Sequence, residues 1–351
     1  MHLFVERGIR GGIAMISHRF CEANNKYIDN YNPNVPSNFI MYLDANNLYG
    51  WAMSQALPTH GFQWVEGHID FMSIPDDSEV GFILEVDIDY PQHLHDDHND
   101  YPLAPEKLNV LPSMISPYNQ SLAEKLNLKV QPTMKLVPNL MTKPRYIVHY
   151  RNLKQYVSLG LKVTKIHSIL KFQQSEWLKK YILFNTEQRK SATSSFQKDL
   201  FKLLNNAVFG KTIENLRNRR KIDLVTDEKK AKKLAASPSF HSFKIINENL
   251  TSIERKVTSL FLNRPCYVGV SILEISKTLM YDFHYSYIKQ KYGSKAILLF
   301  TDTDSLCYSI QTSDIYSDMQ SDADLFDFSD YPLDYPLHSN TNKKSLRKNE
   351  R

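Results

Sequence analysis

The feature that most constrains the fold is the segment 296–310, AILLFTDTDSLCYSI, in which two strongly apolar runs flank a short polar turn. This pattern predicts a β-hairpin whose strands are buried in a sheet. Asp302 and Asp304 lie two residues apart, so in extended backbone both carboxylates would point to the same face. The alternative is an ordinary solvated turn. The apolar flanks favour acids at the end of a buried sheet, where clustered carboxylates are costly unless a cation neutralises them.

A second acid follows another apolar run. Residues 39–49, FIMYLDANNLY, predict a strand that delivers Asp44, followed by the start of a helix. This position makes Asp44 a candidate magnesium ligand, with the following backbone N–H groups facing a triphosphate. The alternative is that Asp44 only caps the next helix.

The third candidate segment is a basic helix that follows a helix over about 176–190. Its predicted start is Ser194, because Ser194 and Gln197 have capping-box spacing, and its predicted end is Gly210. The polar and apolar residues of this helix separate onto two faces. The apolar face consists of Leu200, Leu203, Leu204 and Ala207.

The polar face of that helix carries Lys198, Lys202 and Asn206, which lie four residues apart and form one stripe. Lys190, at the end of the preceding helix, could reach the same side. Lysines in a row without acidic partners predict a phosphate clamp. The alternative is an ordinary amphipathic helix.

The three segments together indicate a function more specifically than any of them does alone. Carboxylates at two sheet ends could hold two metal ions about 4 Å apart, a pair that stabilises the attacking and leaving oxygens of a phosphoryl transfer. A basic helix could hold the triphosphate and neutralise developing charge.

This combination resembles the family B DNA polymerases. Asp44–Gly50 resembles that family's D-x-x-S-L-Y-P motif, Lys202–Gly210 its K-x-x-x-N-S-x-Y-G motif, and Phe300–Ser305 its Y-x-D-T-D-S motif. Arg10-Gly11-Gly12 resembles the Y-x-G-G element of protein-primed members, and the resemblance is closest to the protein-primed polymerases of viruses and large transposons. The departures are Asn47 and Ala207 for Ser, Gly50 for Pro, and Phe209 and Phe300 for Tyr.

The resemblance implies roles for individual residues. Asp44 and Asp304 become metal ligands, Asp302 a supporting carboxylate, and Tyr49 a steric gate against a ribose 2′-OH. The implied nucleotide-binding residues are Leu48, Tyr49, Lys190, Lys198, Lys202 and Asn206. The implied DNA-binding residues are Arg10, Gly11, Gly12, Phe209 and Gly210. The implied cofactor is a pair of Mg²⁺ ions, with Mn²⁺ as a substitute, and the implied partners are primer–template DNA, deoxynucleoside triphosphates and a terminal protein primer.

The implied fold is α+β, an antiparallel palm sheet with helical fingers. Within residues 266–292 we predict a strand, CYVGVSI, and then a long aromatic helix. The chain begins at the R-G-G element and ends soon after the third motif, so we expect neither an exonuclease domain nor a thumb. The expected divisions are N-terminal palm at 1–60, palm and insertion at 61–172, helical fingers at 173–220, a basic surface excursion at 221–265, palm with the hairpin at 266–312, and a poorly packed tail at 313–351.

Two other functions are compatible with parts of the sequence. The run His93–His98 has the H-x-H-x-D-H pattern of metallo-β-lactamase-type hydrolases and could bind zinc, but no glycine-rich loop follows it. A solvated loop is the simpler interpretation. The chain could also be a catalytically degenerate remnant that only binds nucleic acid, against which the intact acids at positions 44, 302 and 304 argue.

Composition narrows these alternatives only slightly. A net charge of +5 favours polyanionic partners weakly. The three cysteines are far apart in sequence, so they suggest neither a disulfide framework nor a cysteine zinc site, and a reducing compartment is expected. No stretch approaches the roughly 18 apolar residues of a membrane-spanning helix, so no membrane partner is expected.

Overall fold

The computed structural model describes residues 1–346 and 348–350, which form helices and mainly antiparallel sheets. The strands are β1 (Ala14–Ile16), β2 (Asn38–Ala45), β3 (Leu57–Val65), β4 (Val80–Asp89), β5 (Glu106–Val110), β6 (Thr133–Val137), β7 (Lys143–His149), β8 (Lys162–Ser175), β9 (Arg220–Val225), β10 (Phe240–Asn247), β11 (Leu250–Lys256), β12 (Ala296–Asp302), β13 (Ser305–Gln311), β14 (Phe326–Asp327) and β15 (Asn349–Glu350). The α-helices are α1 (His2–Arg7), α2 (Leu48–Met53), α3 (His95–His98), α4 (Pro117–Lys125), α5 (Tyr150–Ser158), α6 (Lys179–Ser191), α7 (Ser195–Thr212), α8 (Glu228–Ala235), α9 (Cys266–Tyr281), α10 (Lys289–Tyr292) and α11 (Ile315–Ser321).

The central sheet has six strands in the order β1–β12–β13–β2–β15–β14. Strands β12 and β13 form the predicted hairpin, and β13 pairs with β2 so that Ser305 lies opposite Asp44. Along β2 the residues Phe39, Met41 and Leu43 are buried, because alternate side chains of a strand face the same side. This sheet therefore brings together two acidic segments that are more than 250 positions apart in the sequence.

A second sheet, in the order β3–β8–β4–β7, packs with α5 and α9 into the main core. Helix α9 corrects the prediction of a strand at CYVGVSI: this run is the beginning of a helix, and 14 of the 16 residues of α9 are buried. A continuous apolar run is compatible with a buried strand or a buried helix, and periodicity alone does not separate them. Contacts with several neighbouring helices on different sides favour the helix. The helix then continues into a π-helix over Asp282–Ile288.

Helices α6 and α7 lie antiparallel after a three-residue connection. The Ser194 side chain accepts a hydrogen bond from the Gln197 N–H, which confirms the predicted N-cap. The Asn185 side-chain amide donates to the side-chain Oδ1 of Asn205 at 2.8 Å, which joins the two helices. The expected apolar face of α7 is not buried: Leu203, for example, is 62% exposed. Helix α7 instead contacts α6, α9 and α2, with Val208 and Phe209 packed against a buried apolar cluster, so the predicted apolar face is not the covered one.

Two peripheral parts complete the fold. The basic excursion forms a three-stranded sheet, β10–β11–β9, with α8 against it and Ile253 buried between them. The tail, expected to be poorly packed, needs a correction: four of its apolar side chains belong to the main core, two of them on α11 and two on or next to β14. These side chains are Ile315, Met319, Phe326 and Phe328. Among the helices of residues 1–346, none is both long and apolar enough to cross a membrane.

Candidate functional site

A polar cavity of about 470 Å³ lies where the ends of β2 and of the β12–β13 hairpin meet α2, α6 and α7. It contains six of the residues predicted from the sequence: Asp44, Leu48, Tyr49, Lys202, Asn206 and Asp304. It is completed by five residues that were not predicted: Tyr42, Asn46, Asn47, Arg189 and Lys344. The three acidic and basic segments of the sequence therefore converge on one cavity.

The carboxylates of Asp44 and Asp304 are held in this cavity by the sheet. The Ala45 N–H donates to the Asp304 carbonyl oxygen at 2.7 Å, which locks the hairpin turn to the end of β2. Burial, and secondly the nearby charge of Asp304, raise the pKa of Asp44 to about 6. Burial likewise raises the pKa of Asp304, and the positive charge of Lys202 opposes the rise at both acids. Two half-buried acids with raised pKa values form a site that a divalent cation would stabilise.

This arrangement predicts a stability gain when Asp44 is replaced by Asn without metal present. An acid whose pKa is higher in the folded than in the unfolded chain loses stabilisation as the pH rises from its unfolded value, near 4, to its folded value, about 6. Asp44→Asn should therefore gain on the order of 1 kcal/mol over the original chain at pH 7, once solvent screening is allowed for, and much less at pH 4.

Urea denaturation at both pH values measures this difference in unfolding free energy. Asp302→Asn is the matched control, because Asp302 is exposed outside the cavity. If the difference in unfolding free energy between Asp44→Asn and the original chain is the same at pH 4 and pH 7, burial of the Asp44 carboxylate does not destabilise the fold. Adding Mg²⁺ should stabilise the original chain more than the variant, since only the original chain keeps both acids.

The hairpin turn separates its two acids. Thr303 has a φ of 61°, in the left-handed region, so the backbone between Asp302 and Asp304 is not extended. Asp302 is exposed and does not line the cavity, whereas Asp304 does. The expectation that both carboxylates share one face is therefore wrong, because Asp302 ends β12 whereas Asp304 is the second residue of the two-residue turn that reverses the chain. In the described part of the chain there is also no cluster of three His, Cys, Asp or Glu side chains placed to hold a metal.

The segment that contains Arg10-Gly11-Gly12 packs against this turn. The Thr303 N–H donates to the Ile13 carbonyl oxygen at 2.7 Å, and a Cβ on Gly12 would lie 2.4 Å from the Thr303 side chain. Arg10 is 7% exposed: its guanidinium donates to the Ile147 carbonyl oxygen at 2.6 Å and lies over the Tyr146 ring. The expectation that Arg10 contacts template DNA is corrected here, because packing turns its side chain into the protein. Gly11 has open space around it.

The residues of α6 and α7 that line the cavity are Arg189, Lys202 and Asn206. Lys190, predicted from the end of α6, instead pairs with Glu187 at 3.0 Å and does not line the cavity. Lys198 does not line it either. Adjacent residues of a helix project about 100° apart, so the packing angle of α6 decides which of the two cations faces the acids. The sequence showed adjacent basic residues at positions 189 and 190, but it could not determine which of them faces the acids.

Tyr49 lies in the cavity at the start of α2, and its ring stacks on that of Phe209 with centroids 4.4 Å apart and 19° between the planes. Burial, and secondly the charge of Asp304, raise the pKa of the Tyr49 hydroxyl to about 12, so this side chain is neutral. The turn before it is tight: Asn47 has a φ of 50°, and a Cβ on Gly50 would lie 2.2 Å from the Asn47 side chain. The Asn47 side chain therefore occupies space that is available only because Gly50 has no Cβ. Gly210, next to Phe209, has open space around it.

The His93–His98 run does not form a metal centre. The ring of His98 is buried and its Nδ1 lies 2.8 Å from the Tyr90 hydroxyl, while His95 Nε2 lies 3.3 Å from the Tyr90 carbonyl oxygen. Burial lowers the pKa of His98 to about 4. These histidines take part in packing around Tyr90, so the zinc-hydrolase alternative has no support.

Comparisons with known proteins give a family for this chain and solved structures with a similar fold. The family described as DNA polymerase type B, organellar and viral, matches residues 4–289. None of the curated proteins matches the chain in sequence. Phi29 DNA polymerase in an orthorhombic crystal form matches 99% of this chain and 47% of its own, at 15% identity and a TM-score of 0.50.

Two further phi29 structures are similar. The complex with primer–template DNA has 15% identity and a TM-score of 0.48, covering 99% of this chain and 46% of that one. The ternary complex with primer–template DNA and incoming nucleotide substrates has 15% identity and a TM-score of 0.47, covering 93% and 46%. The chain thus spans about half the length of these solved relatives, and at this identity the likeness concerns the fold. The predicted α+β fold is confirmed, and the family match over residues 4–289 establishes that this chain belongs to the organellar and viral type B DNA polymerases.

Proposed function

We propose that this chain is a DNA-directed DNA polymerase that adds deoxynucleotides to a primer by two-metal nucleotidyl transfer. The observation that supports this most directly is the convergence of Asp44, Asp304 and Lys202 on one cavity in a member of this family. Its substrates would be primer–template DNA and deoxynucleoside triphosphates, with a protein primer as a further candidate partner. We also propose the division into palm, fingers and basic excursion given above.

The donor set suits magnesium. Asp44 and Asp304 provide anionic oxygen ligands, which Mg²⁺ prefers, and burial raises the pKa of both acids despite the opposing charge of Lys202. When bound, a pair of such ions would stabilise the attacking and leaving oxygens of the transfer. Asp302, exposed beside the turn, would contribute only through its charge.

The remaining residues would bind and orient the nucleotide. Lys202 and Arg189 bring positive charge to the side of the cavity opposite the sheet, where a triphosphate would lie between the fingers and the acids. Asn206, one turn beyond Lys202, would hydrogen-bond the same ligand. Lys190 and Lys198, which lie outside the cavity, would take part only if the fingers move on closure.

Primer extension tests the proposed function. The purified chain, a primed template, all four deoxynucleoside triphosphates and Mg²⁺ should give extended primer, and EDTA should prevent extension. A chain that binds the primed template but never extends it, with Mg²⁺ or Mn²⁺, would instead be a degenerate remnant.

Sugar selection provides a second test of the site. The stack on Phe209 holds the Tyr49 ring in place, so a ribose 2′-OH would meet a rigid planar surface. Tyr49→Ala should raise the incorporation of ribonucleotides relative to deoxyribonucleotides by about tenfold or more, since excluding one buried polar group is worth 1–3 kcal/mol. The measurement is the ratio of kcat/KM for the two nucleotide types.

Tyr42→Ala is the control for this test, because Tyr42 also lines the cavity but lies on the exposed side of β2. It should leave the sugar ratio unchanged. An active Tyr49→Ala enzyme with an unaltered sugar ratio would show that Tyr49 is only a packing aromatic.

A further inference from the structure

The part of the tail that comprises residues 326–346 and 348–350 lies beyond the region that matches the family, and one of its side chains, Lys344, lines the cavity. Strand β15 pairs antiparallel with β2 at the end where Asp44 lies, and β14 pairs with β15. The Asn46 N–H donates to the Lys348 carbonyl oxygen at 2.8 Å. The tail is therefore attached to the segment that carries the first catalytic acid.

A buried carboxylate fixes this attachment. Asp327 is 3% exposed, and its Oδ2 accepts hydrogen bonds from the Asn46 side-chain amide at 2.8 Å and from the Lys344 N–H at 2.7 Å. Its Oδ1 accepts a third from the Ser329 N–H at 3.0 Å. Hydrogen bonds to an ionised acceptor are stronger than neutral ones, and losing one partner of a buried charge is costly. Asp327 thus ties the backbone of Lys344 to the residue two positions after Asp44.

The tie places the Lys344 side chain in the cavity with Lys202 and Arg189. Its backbone has a φ of 47°, a conformation uncommon outside glycine, which the hydrogen bond to Asp327 supports. The Lys344 Nζ lies 3.1 Å from Asp330 Oδ2, and the Asp330 side chain is 59% exposed. The positive charge of Lys344 also opposes the raised pKa of Asp44, so this ammonium lies on the Asp44 side of the cavity.

We propose that Lys344 is a phosphate-binding residue of this site, positioned by Asp327 and paired with Asp330 until a phosphate group replaces that partner. The inference rests on the proposed function, because the phosphate would belong to the incoming nucleotide or to the primer strand. An ion pair with so exposed a partner contributes little to stability, so Lys344 can exchange Asp330 for a phosphate group bound in the cavity.

Equilibrium binding tests this proposal without requiring catalysis. Lys344→Ala is compared with Lys343→Ala, the neighbouring exposed lysine that does not line the cavity. Binding of deoxyadenosine triphosphate with Mg²⁺ is measured by calorimetry in the presence of primed template, and binding of primer–template DNA by fluorescence anisotropy over a salt series. A nucleotide contact should raise the nucleotide Kd of Lys344→Ala by about tenfold. A primer contact should instead lower the slope of log K against log salt by about one.

Replacing Asp330, the ion-pair partner of Lys344, should change binding in the opposite direction. Asp330→Ala removes the competing carboxylate, so it should tighten the same binding step that Lys344→Ala weakens, by about two- to fivefold. A purely structural ion pair would make both variants change binding in the same direction, or neither change it, and either result would overturn the proposal. If Lys344→Ala changes no more than Lys343→Ala in both binding series, the proposal also fails. If the chain shows these binding changes but extends no primer, the proposed catalytic function is contradicted, whereas the proposed phosphate contact is supported.

Discussion

Replacing Asp304 by Asn is expected to abolish nucleotide addition while leaving the fold intact. The amide is the same size as the carboxylate but cannot provide the anionic oxygen that Mg²⁺ requires. Because Asp304 shares the cavity with Asp44, its loss removes half of the paired anionic donors. We expect kcat to fall by at least about a hundredfold, the effect typical of removing one group that stabilises transition-state charge.

Single-turnover primer extension measures this effect, and Asp302→Asn is its matched control from the same turn. Asp302 is exposed and outside the cavity, so its substitution should reduce the rate by much less. Denaturation curves should show both variants folded. Substantial activity in a folded Asp304→Asn enzyme would remove Asp304 from the mechanism.

The second large effect is expected for Lys202→Ala. Lys202 faces both acids from α7, and its charge opposes the raised pKa values of Asp44 and Asp304. Losing this ammonium should raise the apparent KM for deoxynucleoside triphosphates by about ten- to a hundredfold, since a charge-assisted hydrogen bond contributes 1.5–3 kcal/mol.

Lys229→Ala provides the comparison, because Lys229 is an exposed lysine of α8 in the basic excursion. Its removal changes the net charge by the same amount but should leave nucleotide KM nearly unchanged. Equal increases in KM for the two variants would reduce Lys202 to a contributor to general surface charge.

These predictions depend on features that differ in how far the sequence could reveal them. The β12–β13 hairpin, the strand that ends at Asp44 and the Ser194 cap were all predictable, because each depends on residues that are neighbours in the chain. An apolar run, a turn residue or a capping side chain acts on backbone only a few positions away. The resemblance of three short motifs then indicated that the segments belong to one site.

Other features required the folded chain. Helix α9 was predicted to begin as a strand, since its apolar run carries no information about how many neighbours would surround it. Arg10 was expected to contact DNA, but its side chain packs over Tyr146 inside the protein. Lys190 was expected in the site, but the rotation of α6 presents Arg189 instead.

By itself, therefore, the sequence determined the family, the α+β class, the two acidic segments and the basic helix α7. Only the tertiary structure decided that Asp302 lies outside the cavity, that Arg189 faces it and that the tail brings Lys344 to it. The physical reason is the range of the interactions. Backbone propensity and turn chemistry are local, whereas the direction of a side chain depends on packing and hydrogen bonds between segments, such as the bond from Asn46 to Asp327, which lie 281 positions apart.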